Sequence, residues 1–119
     1  MKIYESAEDY LETIYVLSLE KENVRAIDIA HALNYSKPSV SVAMKKLSEN
    51  GYIYFDNAYI KLTELGYNLA HKVFDRHETL TKALVKLGVN EEVAREDACK
   101  IEHDLSEESF VAIKNYLNK

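Results

Sequence analysis

Three side chains able to bind a metal ion lie close together near the C-terminal end of the chain. Cys99, Glu102 and His103 are spaced so that, on a helix, all three project from one face. Thiolate, carboxylate and imidazole are common ligands of first-row divalent metals. Each residue also has a simpler interpretation, because a lone cysteine is more often a small buried hydrophobe and the other two can be surface residues. The pattern indicates a metal site without establishing one.

Ligand-type side chains also occur at two other places in the chain. His77 fills the one gap in a helical stripe of leucines and valine, where a histidine needs a hydrogen-bond acceptor or a metal. On the first predicted helix, Asp9 and Glu12 are three residues apart and face the same way. A satisfied core histidine is the commoner case, and Asp9 can instead complete a helix cap that Ser6 begins. Spacing alone does not bring the three segments together.

A short basic segment contrasts with the acidity of the whole chain. The net charge is −5, yet residues 35–47 contain three lysines and no acid. In a helix over 37–50, the face opposite the apolar one carries small hydroxyl residues that can reach base edges and lysines that can contact phosphate. Solvated serines and solubilising lysines are the alternative interpretation. The predicted DNA-contacting residues are Ser36, Lys37, Pro38, Ser39, Ser41, Val42, Lys45 and Lys46.

Hydrophobic periodicity and cap residues predict helices that position these groups, together with one β-hairpin. The predicted helices cover residues 6–20, 27–33, 37–50, 63–87, 90–103 and 106–119, with caps at Ser6, Ser36, Thr63, Asn90 and Ser106. The predicted strands cover 52–55 and 59–62, with a turn at 56–58. The stripe expected to be buried on the long helix comprises Leu65, Leu69, Val73, Leu80, Leu84 and Leu87.

The order of these elements defines the predicted fold. A short helix, a turn, a helix with a basic exposed face and a hairpin follow one another as in a winged helix-turn-helix. We therefore predict a mainly α protein whose N-terminal domain, residues 1–62, contains three helices and a β-hairpin wing. A second, helical domain is predicted over residues 63–119.

Composition narrows the classes of function. A hydrophobic fraction of 47% and a charged fraction of 29% are typical of a soluble globular protein. The single cysteine excludes an intrachain disulfide, and neither a membrane-spanning run nor a signal-peptide core is visible, so we expect a cytoplasmic protein without a membrane partner. The sequence shows no glycine-rich phosphate loop, no HExxH motif and no clear nucleophile–base pair, which argues against an enzyme.

Five motifs in chain order resemble the diphtheria toxin repressor family, and within it the manganese transport regulator branch. They are EDYLETIY (8–15), SKPSVS (36–41), LTELG (62–66), RHETL (76–80) and IEHDLS (101–106). The resemblance covers nearly the whole chain. It implies a metal-activated repressor of metal-uptake genes that binds palindromic operators in double-stranded DNA as a homodimer. It also implies that the winged helix reads DNA, that the helical domain dimerises, and that the metal lies between them.

The resemblance also implies a set of metal ligands. Five positions match the ligands of the manganese branch, namely Asp9, Glu12, His77, Glu102 and His103. At the sixth position, Cys99 matches the iron branch, whereas the manganese branch has a glutamate. The iron branch is expected to have further ligands at positions 81 and 95. This chain has Thr81 and Arg95 there, so the second metal site of that branch is incomplete. Carboxylates favour Mn²⁺, whereas a thiolate favours Fe²⁺, Co²⁺ or Zn²⁺. We therefore expect Mn²⁺ or Fe²⁺ to be the bound ion in the cell, and Co²⁺ or Zn²⁺ to be able to replace it in vitro.

Other interpretations of the chain stay open at this point. A winged-helix regulator controlled by a small molecule or a partner protein would bind DNA equally well under chelation. An enzyme is the second alternative, since a His/Glu/Cys metal site can in principle activate water. Turnover of a substrate by the metal-bound protein would identify it. A structural adaptor would bind no DNA even with metal present. Because the chain ends at Lys119, we expect no third, SH3-like domain of the kind that longer family members carry.

Overall fold

The computed structural model describes residues 5–119; the opening residues 1–4, where we expect no signal sequence, lie outside it. Within this range the mainly α prediction with a hairpin wing is confirmed. The elements are α1 (Glu5–Glu20), α2 (Ala26–Leu33), α3 (Lys37–Glu49), β1 (Ile53–Asp56), β2 (Tyr59–Leu62), α4 (Glu64–Lys86), α5 (Glu91–Ile101) and α6 (Glu107–Leu117). No helix of the described range is long and apolar enough to cross a bilayer.

The described chain divides into two compact units. The first ends at His71 and the second begins at Lys72, so the division falls within α4. Our predicted boundary between residues 62 and 63 follows the change from hairpin to helix, and it stays a prediction.

The first unit packs three helices and the hairpin around one apolar core. α1 packs on α2 and β2, while α3 packs on α2 and β1. Asn34 adopts a left-handed conformation with φ of 57°, which ends α2 and lets α3 start in a new direction. The largest fully buried apolar side chains are Leu11, Ile14, Val24, Ile29, Val40, Met44 and Ile53.

The wing is a two-stranded antiparallel hairpin in which Asp56 pairs with Tyr59. Asn57 adopts φ of 61°, so a turn of only Asn57 and Ala58 joins the strands. The predicted turn over 56–58 was therefore one residue too long, and β1 begins one residue later than expected. The backbone N–H of Ile60 donates to the Val24 carbonyl at 2.7 Å, which attaches the wing to the segment before α2.

Most predicted helix starts are confirmed by hydrogen bonds to the cap side chain. The accepting caps are Ser36, Thr63, Asn90 and Ser106. The Ser6 cap was wrong, because α1 begins at Glu5 and Ser6 lies inside the helix. The end of α3 was one residue off, since Asn50 is its C-cap.

The buried stripe of α4 differs from the predicted one at both ends. Leu65 is 56% exposed and Leu87 is 78% exposed. The buried non-polar positions are instead Gly66, Ala70, Val73 and Leu80, which recur at helical spacing. The small residue at 66 decides this, because a Cβ there would overlap the backbone carbonyl of Tyr52. The close approach turns the Gly66 face inward and leaves Leu65 outside.

A carboxylate near the start of α2 satisfies the backbone there. Asp28 accepts the backbone N–H of Arg25 at 2.8 Å and the Lys21 ammonium at 3.0 Å. The Arg25 N–H bond, more than Lys21, lowers the pKa of the Asp28 carboxyl below its ordinary value. The folded state therefore stabilises the ionised form of Asp28 more than the unfolded state does.

Replacing Asp28 with asparagine should lower stability more at neutral pH than in acid. A carboxyl whose pKa is lowered by folding contributes stability above its unfolded pKa, and this contribution is lost as the pH falls through the folded pKa. We expect the free energy of unfolding to fall by about 1 kcal/mol at pH 7. Urea unfolding at neutral pH and at about pH 2.5, below the ordinary Asp pKa, measures both values, with Glu49→Gln as a surface control. An equal loss at both pH values would contradict the assignment.

Candidate metal centre and DNA-binding face

The second unit brings three predicted ligands together. His77 lies on α4, Glu102 is the C-cap of α5, and His103 follows it in the turn. The Nδ1 atom of His77 lies 3.0 Å from Oε2 of Glu102. The Nε2 atom of His103 lies 3.5 Å from Oε1 of the same carboxylate. One carboxylate is thus flanked by two imidazoles from different parts of the unit.

The Glu102 carboxylate is buried and only partly satisfied. Its side chain is 0% exposed. Among the described residues, no donor forms a hydrogen bond with Oε1, since the contact with His103 has an ion-pair distance but not hydrogen-bond geometry. A buried acceptor left in this way is costly for the fold. A divalent cation would satisfy this oxygen, and imidazole and carboxylate suit first-row metals, so the residues fit a metal ion.

Arg76 fixes the chain segment that carries two of these ligands. It is buried, and its Nη1 donates to the carbonyls of Glu102 at 3.2 Å and Leu105 at 2.6 Å. Its Nη2 donates to Glu107 at 2.9 Å. This bond, assisted by Lys72, lowers the pKa of the Glu107 carboxyl. α5 ends at Ile101 rather than at His103 as predicted, and Arg76 satisfies two carbonyls in the turn that follows it.

Sequence reasoning placed Arg76 in a motif but gave it no role. The available signal was a charged residue on the buried face of α4, between Val73 and Leu80. Its acceptors lie 26 and 29 residues away, beyond the reach of any local pattern.

The remaining three predicted ligands lie on two helices, α5 and α1. Cys99 is exposed on α5, whereas Glu102 is fully buried, so the two do not share one environment. Within residues 5–119, Cys99 belongs to no cluster of three ligand-type side chains. Asp9 and Glu12 are half-buried on α1 in the first unit. Their roles as ligands stay predictions.

The face of α3 opposite the core is open to solvent and basic. Val40, Met44 and Leu47 are buried, which turns the other face outward. Val42 is 57% exposed, an unusual position for a β-branched apolar side chain. All of the predicted DNA-contacting residues are exposed: Ser36, Lys37, Pro38, Ser39, Ser41, Val42, Lys45 and Lys46. The N-terminus of α3 also offers backbone N–H groups that can bind phosphate.

A winged helix with a basic exposed helix, together with a buried carboxylate between two histidines, is the combination expected of a metal-dependent DNA-binding repressor. Two family models match the chain. The iron dependent repressor N-terminal DNA-binding domain matches residues 2–58, and the iron dependent repressor metal-binding and dimerisation domain matches residues 63–119. The chain therefore belongs to the iron dependent repressor family, whose members are transcriptional regulators and not enzymes. A metal ion is its cofactor.

Known relatives agree with this membership. An uncharacterized HTH-type transcriptional regulator of Methanocaldococcus jannaschii is 38% identical over 97% of this chain and 94% of its own length. The transcriptional regulator MntR of Geobacillus thermodenitrificans is 39% identical over 85% of this chain and 72% of its own length. The structure of the manganese regulator SloR matches 99% of this chain at 30% identity, with a TM-score of 0.83. The chain spans 55% of that SloR chain.

Proposed function

We propose that this protein is a homodimeric, cytoplasmic repressor of metal-uptake genes that uses Mn²⁺ or Fe²⁺ as its co-repressor. The carrying observation is the Glu102 carboxylate, which is buried between His77 and His103 while its Oε1 accepts no hydrogen bond from residues 5–119. A protein that needed this glutamate only for stability would pair both oxygens. The similarity to SloR, whose structure is described as that of a manganese regulator, supports Mn²⁺.

The proposed ligand set extends beyond the three residues of the second unit. His77, Glu102 and His103 supply two imidazoles and one carboxylate. Asp9 and Glu12 would add carboxylates from α1, where they are three residues apart on one face. Cys99 would add a thiolate, which an ion such as Fe²⁺ accepts more readily than Mn²⁺ does. The motif match to the family supports these three residues.

Metal binding and DNA binding are linked in this proposal. The buried Glu102 carboxylate would receive compensating positive charge from a bound ion. Ligands from both units would order the winged helix before it meets DNA, so that the ordering entropy no longer opposes DNA binding. Neutralised carboxylates would also repel phosphate less. Asp9→Ala should therefore remove the metal response of DNA binding.

The N-terminal part of α3 is the proposed reading element. Ser39 and Ser41 would meet base edges in the major groove, and Val42 would contact a thymine methyl group. Lys45 and Lys46, farther along the same exposed face, would contact phosphate. In a two-fold dimer the two α3 helices read the half-sites of a palindrome, about one helical turn or a multiple of it apart.

The test first selects a duplex from a random-sequence pool with the protein in Mn²⁺. Anisotropy at one salt concentration then compares EDTA with Mn²⁺, anaerobic Fe²⁺, Co²⁺ and Zn²⁺. We expect binding to be at least about tenfold tighter with one of the metals, which is about 1.4 kcal/mol of coupling. Equal binding in EDTA would favour a winged-helix regulator without metal control. Failure to select any duplex would favour a structural adaptor.

The double substitution of Lys45 and Lys46 by alanine should weaken DNA binding regardless of sequence. Each phosphate contact contributes about 0.9 to the slope of log affinity against log salt, so the double variant should lose about 1.8 from that slope. We expect affinity for the selected duplex to fall about tenfold at physiological salt. Titration of the selected and a scrambled duplex at several salt concentrations measures both effects. Lys100→Ala, an exposed lysine of α5, is the control. An unchanged slope would place these lysines away from DNA.

A further inference from the structure

We propose that Arg76 is a positioning residue for the metal centre, which sets the affinity for the ion without contacting it. The inference rests on the proposed function, because it requires that Glu102 and His103 bind the metal. It assigns a role to a buried arginine that the ligand set leaves unexplained.

The hydrogen bonds of Arg76 join three elements of the second unit. Its guanidinium projects from α4 and donates to two carbonyls in the turn after α5, those of Glu102 and Leu105. It also donates to the Glu107 carboxylate in the first turn of α6. His103 lies between the two anchored carbonyls. The backbone around both ligands is thereby tied to the helix that carries His77.

The chemistry of the guanidinium suits this task. It is planar with five donors in a fixed fork, so bonds to two carbonyls and a carboxylate fix its orientation as well as its position. The Phe110 ring lies on it, with 5.1 Å between the guanidinium carbon and the ring centroid. A lysine would keep the charge but could not make the same fork of contacts.

Stability alone does not explain a buried arginine here. Its Nε is buried and forms no hydrogen bond among the described residues. Apolar side chains of similar volume usually serve stability equally well at such positions. The arginine lies on the face where Val73 and Leu80 are buried, one residue before His77. We therefore assign its benefit to the turn that it anchors.

The expected size of the effect follows from comparable sites. Groups that orient metal ligands change metal affinity by about 10- to 100-fold when they are replaced. Without Arg76, the carbonyls of Glu102 and Leu105 lose their donors, and the turn that contains both ligands is held less firmly. Glu102 and His103 would then have to be ordered by the metal itself, which weakens binding.

The experiment compares Arg76→Gln and Arg76→Lys with the unaltered full chain. Affinity for Mn²⁺ is measured by competition with a chelator dye, and the visible spectrum of bound Co²⁺ reports the ligand geometry. We expect Arg76→Gln to bind Mn²⁺ about 10- to 100-fold more weakly, with a changed Co²⁺ spectrum and partial rescue in Arg76→Lys. Arg95→Gln is the matched control, because Arg95 lies on α5 in exposed ion pairs with Glu78 and Glu91.

A measurement without metal separates positioning from general stability. Amide exchange should accelerate at residues 103–105 in metal-free Arg76→Gln, while the helices keep their protection. Ser106→Ala, which removes only the cap of α6, should lower the melting temperature and leave the Mn²⁺ affinity unchanged. If Arg76→Gln does not fold, Glu107→Gln should weaken Mn²⁺ binding by a smaller factor, because the guanidinium loses one anchor.

The outcomes distinguish this inference from the proposed function. Mn²⁺ affinity within about twofold of the unaltered chain in folded Arg76→Gln, or equal losses in Ser106→Ala, would overturn the positioning role alone. Absence of Mn²⁺ and Co²⁺ binding by the unaltered chain would overturn both. Weak binding in Arg76→Gln together with strong binding in Arg95→Gln supports both.

Discussion

Replacing Glu102 with glutamine should abolish the metal dependence of DNA binding while leaving the metal-free protein folded. The substitution keeps the volume of a fully buried side chain and removes one negatively charged ligand. Residues that only support a metal ligand change affinity by about 10- to 100-fold, so loss of a ligand at the centre should weaken metal binding at least about 100-fold. That corresponds to about 2.7 kcal/mol. At an Mn²⁺ concentration that just saturates the unaltered chain, the DNA affinity of the variant should then equal its affinity in EDTA.

The same substitution should not destabilise the metal-free protein. An amide is less costly to bury than a carboxylate whose oxygen lacks a donor. The melting temperature of metal-free Glu102→Gln should therefore equal or exceed that of the unaltered chain. Glu78→Gln makes the same chemical change beside His77, on a side chain that is 35% exposed, and should keep the metal response. A Glu102→Gln protein that still switches with metal would remove Glu102 from the centre.

Replacing Gly66 with alanine should lower the free energy of unfolding by about 3 kcal/mol, the upper end for overpacked sites. Helix propensity alone predicts the opposite, a gain of about 1 kcal/mol for alanine over glycine within a helix. The close approach decides the sign. An added Cβ would overlap the carbonyl of Tyr52, and a backbone group cannot rotate away. Tyr52 also accepts the N–H of Thr63 at 3.1 Å, so any shift would disturb the start of α4.

Urea unfolding measures this effect, with Asn68→Ala as the matched control. Asn68 is exposed on the same helix, where alanine should stabilise the protein by a few tenths of a kcal/mol, as helix propensity predicts. If Gly66→Ala were as stable as the unaltered chain, α4 would not approach Tyr52 as closely as the structure indicates.

Local chemistry allowed most of the fold to be predicted from the sequence. A cap side chain acts within three residues of itself, so Ser36, Asn90 and Ser106 indicate helix starts directly. The hairpin was evident from its aromatic and β-branched strands. Leu65 shows the limit of such patterns, because leucines at helical spacing do not show how a helix turns when a neighbouring glycine contacts a distant carbonyl.

The candidate site was predictable in residue types but not in arrangement. His77 and Glu102 are 25 residues apart, and only their chemistry and the family motifs suggested a common site. The predicted α5 extended too far, and the turn after it is held by Arg76 from another helix, through hydrogen bonds that no local pattern reveals. Cys99 has the right chemistry and spacing, yet it is exposed while Glu102 is buried, because burial depends on tertiary packing and not on type.

The two histidines beside Glu102 differ in the ring nitrogen that faces it. His77 presents Nδ1, and His103 presents Nε2. A neutral imidazole carries one proton, and a nitrogen that offers a lone pair leaves that proton on the other nitrogen. If each ring binds the ion through the nitrogen that faces Glu102, His77 is the Nε2–H tautomer and His103 the Nδ1–H tautomer. Imidazoles of opposite tautomeric form would then hold the ion, which would make the two histidines chemically distinct and not interchangeable.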